Sequence, residues 1–183
     1  MPERILLTDA RRLADPLPFM RRLPPGSAVI LRHYEWPSAR RLALALEMKA
    51  LCRQRGLLLL VAGDAHLALA TGADGLHLPQ GLLPRAAGMR RHFALVTAAA
   101  HDAGALVRAA QAGADAALVS PVFATASHPG AQGLGILRFA ALADRARRLG
   151  LGVYALGGID AAAARRLIAV PKSGIAGIGG ITT

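Results

Sequence analysis

Eight short apolar runs alternate with Ala/Leu/Arg-rich segments along the whole chain, and few folds accept that pattern. Runs such as Leu57-Leu-Leu-Leu-Val61 are continuous rather than alternating, as in parallel strands buried on both faces. The runs predict strands at 4–8, 27–32, 57–62, 75–78, 94–98, 116–120, 152–156 and 175–178. The 3.6-type spacing of the intervening segments predicts helices at 16–22, 38–55, 65–71, 83–91, 103–112, 137–149 and 161–168. Gly56, Gly72, Gly113 and Gly150 fall where four of these helices must stop. Alternation on this scale predicts an α/β protein, a (β/α)8 barrel of TIM type, as one domain over residues 1–183. An open doubly wound sheet is the alternative. The near-even spacing favours closure, as does the echo between Gly72-Ala-Asp-Gly75 and Gly113-Ala-Asp-Ala116.

The sequence ends at Thr183, soon after the eighth strand, so the barrel is expected to lack its last helix. Strands eight and one should then expose an apolar strip. A second copy of the chain, giving a homodimer, or the N-terminal segment is expected to cover it.

Two of the runs end in glycine: Gly152-Val-Tyr-Ala-Leu-Gly-Gly-Ile159 and Gly174-Ile-Ala-Gly-Ile-Gly-Gly180. Without a Cβ, Gly157 and Gly158 let a ligand approach their backbone N–H groups. Asp160 follows as an N-cap type residue before a strong helix former. Glycine loops after the last two strands of such a barrel are the usual place for a phosphate. Two tight turns chosen for packing alone are the plainer reading, but the pair favours a phosphorylated small-molecule ligand.

The net charge of +11 raises nucleic acid as a partner. The basic residues are scattered, however, as six pairs: Arg11-Arg12, Arg21-Arg22, Arg40-Arg41, Arg90-Arg91, Arg147-Arg148 and Arg165-Arg166. Most lie in helical segments, where they read as solvated outer faces. No tail of like charge and no zinc spacing accompanies them, so a dedicated nucleic-acid role is not expected. No apolar run approaches the ~18 residues of a membrane span, so no membrane role is expected. The first strand follows Met1-Pro-Glu almost at once, which leaves no room for a signal peptide. The lone cysteine, Cys52, excludes an internal disulfide, and a cytoplasmic setting is expected.

Several stretches resemble the thiamine-phosphate synthase and TenI family of barrels. They are Leu6-Leu-Thr-Asp9, Leu31-Arg32, Leu67-Ala-Leu-Ala-Thr-Gly-Ala-Asp-Gly-Leu-His-Leu-Pro-Gln80, His101, Gly113-Ala-Asp115, Ser120-Pro-Val-Phe-Ala-Thr125 and Leu156-Gly-Gly-Ile159. The resemblance implies a transferase of thiamine biosynthesis. A pyrimidinylmethyl diphosphate would lose pyrophosphate, and a thiazole phosphate nitrogen would capture the carbocation. Mg²⁺ and cationic side chains would neutralise the leaving group.

The resemblance also assigns residues. Arg32 matches the diphosphate-binding arginine, and Thr125 and Ser127 match hydroxyls on the phosphates. Gly157, Gly158, Ile178 and Gly179 match the phosphate-binding amides, and Gln80 and Thr97 belong to the substrate pocket. His77 reads as structural. The family's Asn-Asp after strand three falls on Ala62-Gly63, leaving Asp64 one place later as the candidate metal ligand. Gly81 and Leu82 replace the acid after strand four, Tyr34 and His128 replace two lysines, and Ala99 replaces a serine. An unperturbed histidine such as His128 carries charge only partly at neutral pH. The resemblance thus predicts a phosphate site with a degenerate metal site. The alternatives are a TenI-like thiazole phosphate isomerase with His101 or His128 as acid–base, and a non-catalytic regulatory binder of a phosphate ligand.

Overall fold

In the computed structural model, which describes residues 1–81, 89–125, 132–179 and 181, eight parallel strands close into a barrel in the order β1 to β8. The strands are β1 (Arg4–Leu7), β2 (Ala28–Leu31), β3 (Leu58–Ala62), β4 (Gly75–Leu78), β5 (Leu95–Ala100), β6 (Ala116–Val119), β7 (Gly152–Leu156) and β8 (Gly174–Gly177). The helices outside them are α1 (Leu17–Met20), α2 (Ser38–Arg55), α3 (Ala65–Ala70), α4 (Ala103–Gln111), α5 (Gly135–Arg148) and α6 (Ala161–Arg166). The eight strands stand where the apolar runs predict them. β5 runs on to Ala100 because Ala99 and Ala100 pair with Leu118 and Val119. The expected helix at 83–91 lies mostly outside the described residues. Its described end, Met89–His92, is a 3₁₀ turn.

Alternation divides the strands between two cores. Ile5, Ile30, Leu60, Leu95, Leu118 and Tyr154 fill the barrel interior. Leu6, Val29, Val61, Val96, Val119 and Val153 face outward into the layer beneath the helices. At Gly75 a Cβ would lie 2.3 Å from the Leu95 carbonyl oxygen and 2.8 Å from Leu60 Cγ, so only glycine leaves Leu60 its place inside.

The Gly-Ala-Asp echo has a physical basis. Asp74 N–H donates to Leu59 O at 2.8 Å, and Leu59 N–H returns a bond to Asp74 Oδ2 at 2.8 Å. Asp115 and Val96 exchange the same pair of bonds, each at 2.7 Å. Ser173 and Val153 repeat the exchange, with the serine hydroxyl as acceptor at 3.1 Å. Each exchange fastens the start of one strand to its neighbour. Lys49 and Arg90 neutralise the two aspartates at 2.7 and 2.8 Å.

No helix follows β8 among the described residues, and the strand is covered in part: Gly174 and Ile175 stay only partly buried, while Ala176 and Gly177 are buried. Ile181, 1 % exposed, folds back so that its side chain lies over Gly177, and Arg4 Nη1 donates to its carbonyl at 3.2 Å. Leu6 is fully buried. The N-terminal segment closes the opposite end of the barrel, where Tyr154 donates its hydroxyl to Pro2 O at 2.7 Å. No helix among the described residues is long and apolar enough to cross a membrane.

Replacing Asp74 by alanine removes an acceptor of a strand N–H and leaves the nine-tenths-buried Lys49 ammonium unpaired. Chemical denaturation of Asp74→Ala should show a loss of about 2–4 kcal/mol, larger than for an exposed ion pair such as Asp144 with Arg147.

Candidate active site

The parallel strands direct all their carboxyl ends to one rim, and two adjoining cavities open there. The larger, about 510 Å³, is lined by Arg32, Tyr34, His77, Gln80, His101 and Thr125, with Leu7, Leu118, Leu156 and Ile178 as apolar walls. The smaller, about 340 Å³, is lined by Arg12, Thr125, Gly157, Gly158, Asp160 and Ile178. Thr125, Leu156, Gly157 and Ile178 belong to both, so the two form one divided cleft.

Arg32 follows β2 and is held on two sides. Its Nε donates to Thr8 O at 2.7 Å and its Nη2 to Asp9 Oδ2 at 2.8 Å. Nη1 has no partner among the described residues, and Arg32 lines the larger cavity. Burial raises the Asp9 carboxyl. The backbone N–H groups of Arg12 and Arg11 and the charge of Arg32 outweigh it and set the group below its ordinary value.

His77 and Thr97 are inward-facing residues at the upper end of β4 and β5. They share a hydrogen bond of 2.9 Å between Nδ1 and Oγ1. Thr97 is fully buried, so its link with the cavity runs through His77. His77 was expected to be structural; it lines the cavity as well. Burial, with the nearby Arg32 charge adding, pushes its pKa down to about 3, and it stays neutral at physiological pH. His101 stands exposed on the rim after β5, where Nδ1 lies 2.7 Å from Ser120 O.

Gly157 and Gly158 have φ of +93° and +65°, in the left-handed region. A Cβ on Gly158 would lie 2.5 Å from Ala124 O, and one on Gly157 would lie 2.9 Å from Pro121 Cα. Glycine is therefore required there both by backbone conformation and by close packing against the segment after β6. Asp160 caps α6, accepting from Ala163 N–H at 2.7 Å, so the helix N-terminus already holds a carboxylate. The glycine turns, rather than that helix end, are therefore the candidate anion subsite. Gly179 follows β8 with φ +91°. Ser127 and His128 lie outside the described residues.

Asp64 does not join the cleft. Its Oδ1 caps α3 by accepting from Leu67 N–H at 2.9 Å, and Oδ2 faces Arg41 Nη1 at 3.4 Å. Asp9, the carboxylate closest to Arg32, is occupied by two backbone N–H groups and that guanidinium. Mg²⁺ takes oxygen donors, usually one or two free carboxylates. No cluster of three or more His, Cys, Asp or Glu side chains exists among the described residues, and the donors present do not fit the metal. The buried Cys52 thiol, pushed up to about 12 by burial, is no nucleophile. Arg12 is the lining residue that sequence reasoning missed; it looked like half of one more solvated arginine pair.

A closed parallel barrel with a divided, cation-bearing cleft at its strand ends belongs to the (β/α)8 proteins that receive small ligands at that face. A family model described as thiamine monophosphate synthase matches residues 19–181, and the chain belongs to that family. It is 38% identical over 164 residues to a thiamine-phosphate synthase of Thermus thermophilus, covering 82% of this chain and 76% of that one. It is 37% identical over 147 residues to a thiamine-phosphate synthase of Chromobacterium violaceum, covering 79% and 69%. Among solved structures, thiamine phosphate pyrophosphorylase from Pyrococcus furiosus superposes with a TM-score of 0.80 at 22% identity, over 98% of this chain and 87% of that one. At that identity the likeness speaks for the fold.

Two outcomes follow from the site's geometry. The folded-state pKa of His77 lies below its ordinary 6.5, so between pH 6.5 and about 3 the unfolded chain binds a proton that the folded chain does not. Its contribution to stability is full above pH 6.5 and is lost as pH falls, by up to about 1.4 kcal/mol per pH unit. Denaturation across pH 4–7 should show this slope reduced in His77→Gln. His33, lowered by its own burial, adds in the same sense. Asp64→Ala should cost about 1–2 kcal/mol through loss of the cap, while calorimetric Mg²⁺ titrations stay unchanged. A lost Mg²⁺ response would mean that Asp64 leaves its cap to hold metal.

Proposed function

We propose that this chain acts in thiamine biosynthesis as a thiamine-phosphate synthase-type protein in the cytoplasm, with a complete monophosphate subsite and a depleted diphosphate subsite. The observation that carries this is the divided cleft, with Arg32 over one half and the glycine turn under the other. It suits a pyrimidinylmethyl diphosphate meeting a thiazole phosphate. The C–O bond to the diphosphate breaks, and pyrophosphate leaves with the electron pair. The thiazole nitrogen then gives its lone pair to the CH₂ carbon, forming the C–N bond. Arg32, preset by Asp9 and Thr8, faces the charge that grows on the leaving group. Leu7, Leu118, Leu156 and Ile178 keep water from the cation. Mg²⁺ would supply further countercharge in a full synthase, but the carboxylates present do not form a place for it, and no step here is assigned to it.

A second reading rests on His101. On the rim beside Ser120, it is placed to move a proton on a bound thiazole phosphate, as an isomerase requires. A binder without turnover is the remaining alternative.

Calorimetry with thiazole phosphate, and an assay with both substrates at saturating Mg²⁺, separate these readings. Thiazole phosphate should bind. Thiamine phosphate should form far below the ~1 s⁻¹ at the low end of typical enzymes, because each missing preorganised charge contact costs ~10²–10³ in rate. Turnover at ordinary rates would overturn the depleted-subsite reading. Failure to bind thiazole phosphate would overturn the assignment itself.

A further inference from the structure

We infer that Arg12, in the loop between β1 and α1, is the cationic anchor of the monophosphate subsite. The inference deepens the synthase-type reading above and rests on it. A phosphate monoester near neutral pH carries close to two negative charges. Glycine-turn amides offer it dipoles but no net charge, and the same cavity wall holds the Asp160 carboxylate. Among the described residues that line this cavity, Arg12 is the one cation.

The loop is built so that Arg12 stands there. Asp9 Oδ1 accepts from Arg11 N–H at 3.1 Å and from Arg12 N–H at 3.0 Å. Asp9 O accepts from Leu13 N–H at 2.8 Å, and Leu13, 5 % exposed, anchors the far side of the turn in the outer core. The backbone of Arg12 is thus fixed from both sides where the residue lines the cleft. Asp9 Oδ2 meanwhile holds Arg32 at 2.8 Å. One carboxylate therefore sets two arginines, one at each half of the cleft, in a fixed relation. Arg11 shares the turn and the charge but does not line either cavity. This separates a specific contact from general attraction by a basic surface.

The test compares thiazole phosphate with the corresponding thiazole alcohol by calorimetry on the full chain. The wild type should prefer the phosphate. Arg12→Gln should weaken thiazole phosphate binding about tenfold or more, the scale of a charge-assisted contact, and leave the alcohol unchanged. Arg12→Lys should recover part of the loss, and Arg11→Gln should shift neither ligand by more than about twofold. Arg12 is exposed, so these variants should unfold at the wild-type temperature. A wild type that prefers the phosphate, with an Arg12→Gln variant that keeps the whole preference, would overturn this inference alone. So would an equal loss in Arg11→Gln, since that would be bulk charge. A wild type that binds both ligands equally, or neither, would overturn the synthase-type reading and this inference with it.

Discussion

The seam between β8 and β1 is the constraint on which the rest of the structure depends. Arg4, Ile5 and Leu6 pair with Ile175, Ala176 and Gly177, and this pairing gives every strand two neighbours. An open sheet would leave the unpaired N–H and C=O groups of two edges; closure removes both edges. The chain supports the seam with unusually small means. Ile175 N–H donates to Glu3 O at 3.0 Å, Ile181 covers Gly177, and Arg4 reaches the Ile181 carbonyl. Closure also gathers eight strand ends into one rim, and so Arg32 from β2 and Gly157 from β7 come to share a cleft. Their side chains and turns are ordinary; their juxtaposition follows from the seam.

The chain has few acids to support so much basic charge, and the described structure engages its aspartates one by one. Asp64, Asp102 and Asp160 cap helices by accepting from Leu67, Ala105 and Ala163 N–H. Asp74 and Asp115 fasten neighbouring strands. Asp9 and Asp15 accept backbone N–H groups around the loop that leads to α1, and Asp144 pairs with Arg147 and Arg148. A carboxylate whose orientation is fixed by a cap must turn from that N–H to reach a metal site placed elsewhere, which costs about 1–3 kcal/mol where the donor is left buried. The departure from the family's metal site that the resemblance implies is thus more than acids replaced by glycine. The acid that remains nearby, Asp64, is already needed by α3.

Strand positions were legible because parallel strands buried on both faces need apolar residues at every position, which no other element in the chain does. The glycine pair after β7 was legible because a left-handed turn packed against a neighbouring backbone admits little else. The roles of charged residues were not. Asp64 adjoins the expected metal position in sequence, but an aspartate three residues before a free helical N–H is equally a cap, and capping is the role the structure shows. Arg12 and Arg11 are identical in sequence terms and both donate to Asp9, and only the three-dimensional course of the loop sets Arg12 alone on the cleft wall. The covering of β8 by Ile181 could not be read from residues that carry no periodicity. Ser127 and His128 lie outside the described residues, so their expected roles stand on resemblance alone.

Charge is what separates the two halves of the cleft. Among the described residues, the half proposed for the monophosphate combines a glycine turn, Thr125 at its border and Arg12 against one acidic residue, Asp160. A dianion placed there would meet the backbone dipoles of the turn and the charge of Arg12 on one wall. In the proposed reaction the other half would meet a leaving group whose negative charge grows as its bond breaks, and among the described residues Arg32 is its one arginine or lysine, beside the neutral His77 and the polar groups of Tyr34, Gln80, His101 and Thr125. Arg32 is itself half-neutralised by Asp9 at 2.8 Å. A site can hold a ground state with so little, but lowering a barrier requires charge that is stronger toward the transition state than toward the substrate. On the reading proposed above, the cleft is better equipped to bind than to accelerate, and that imbalance would lie in its side chains rather than in the barrel.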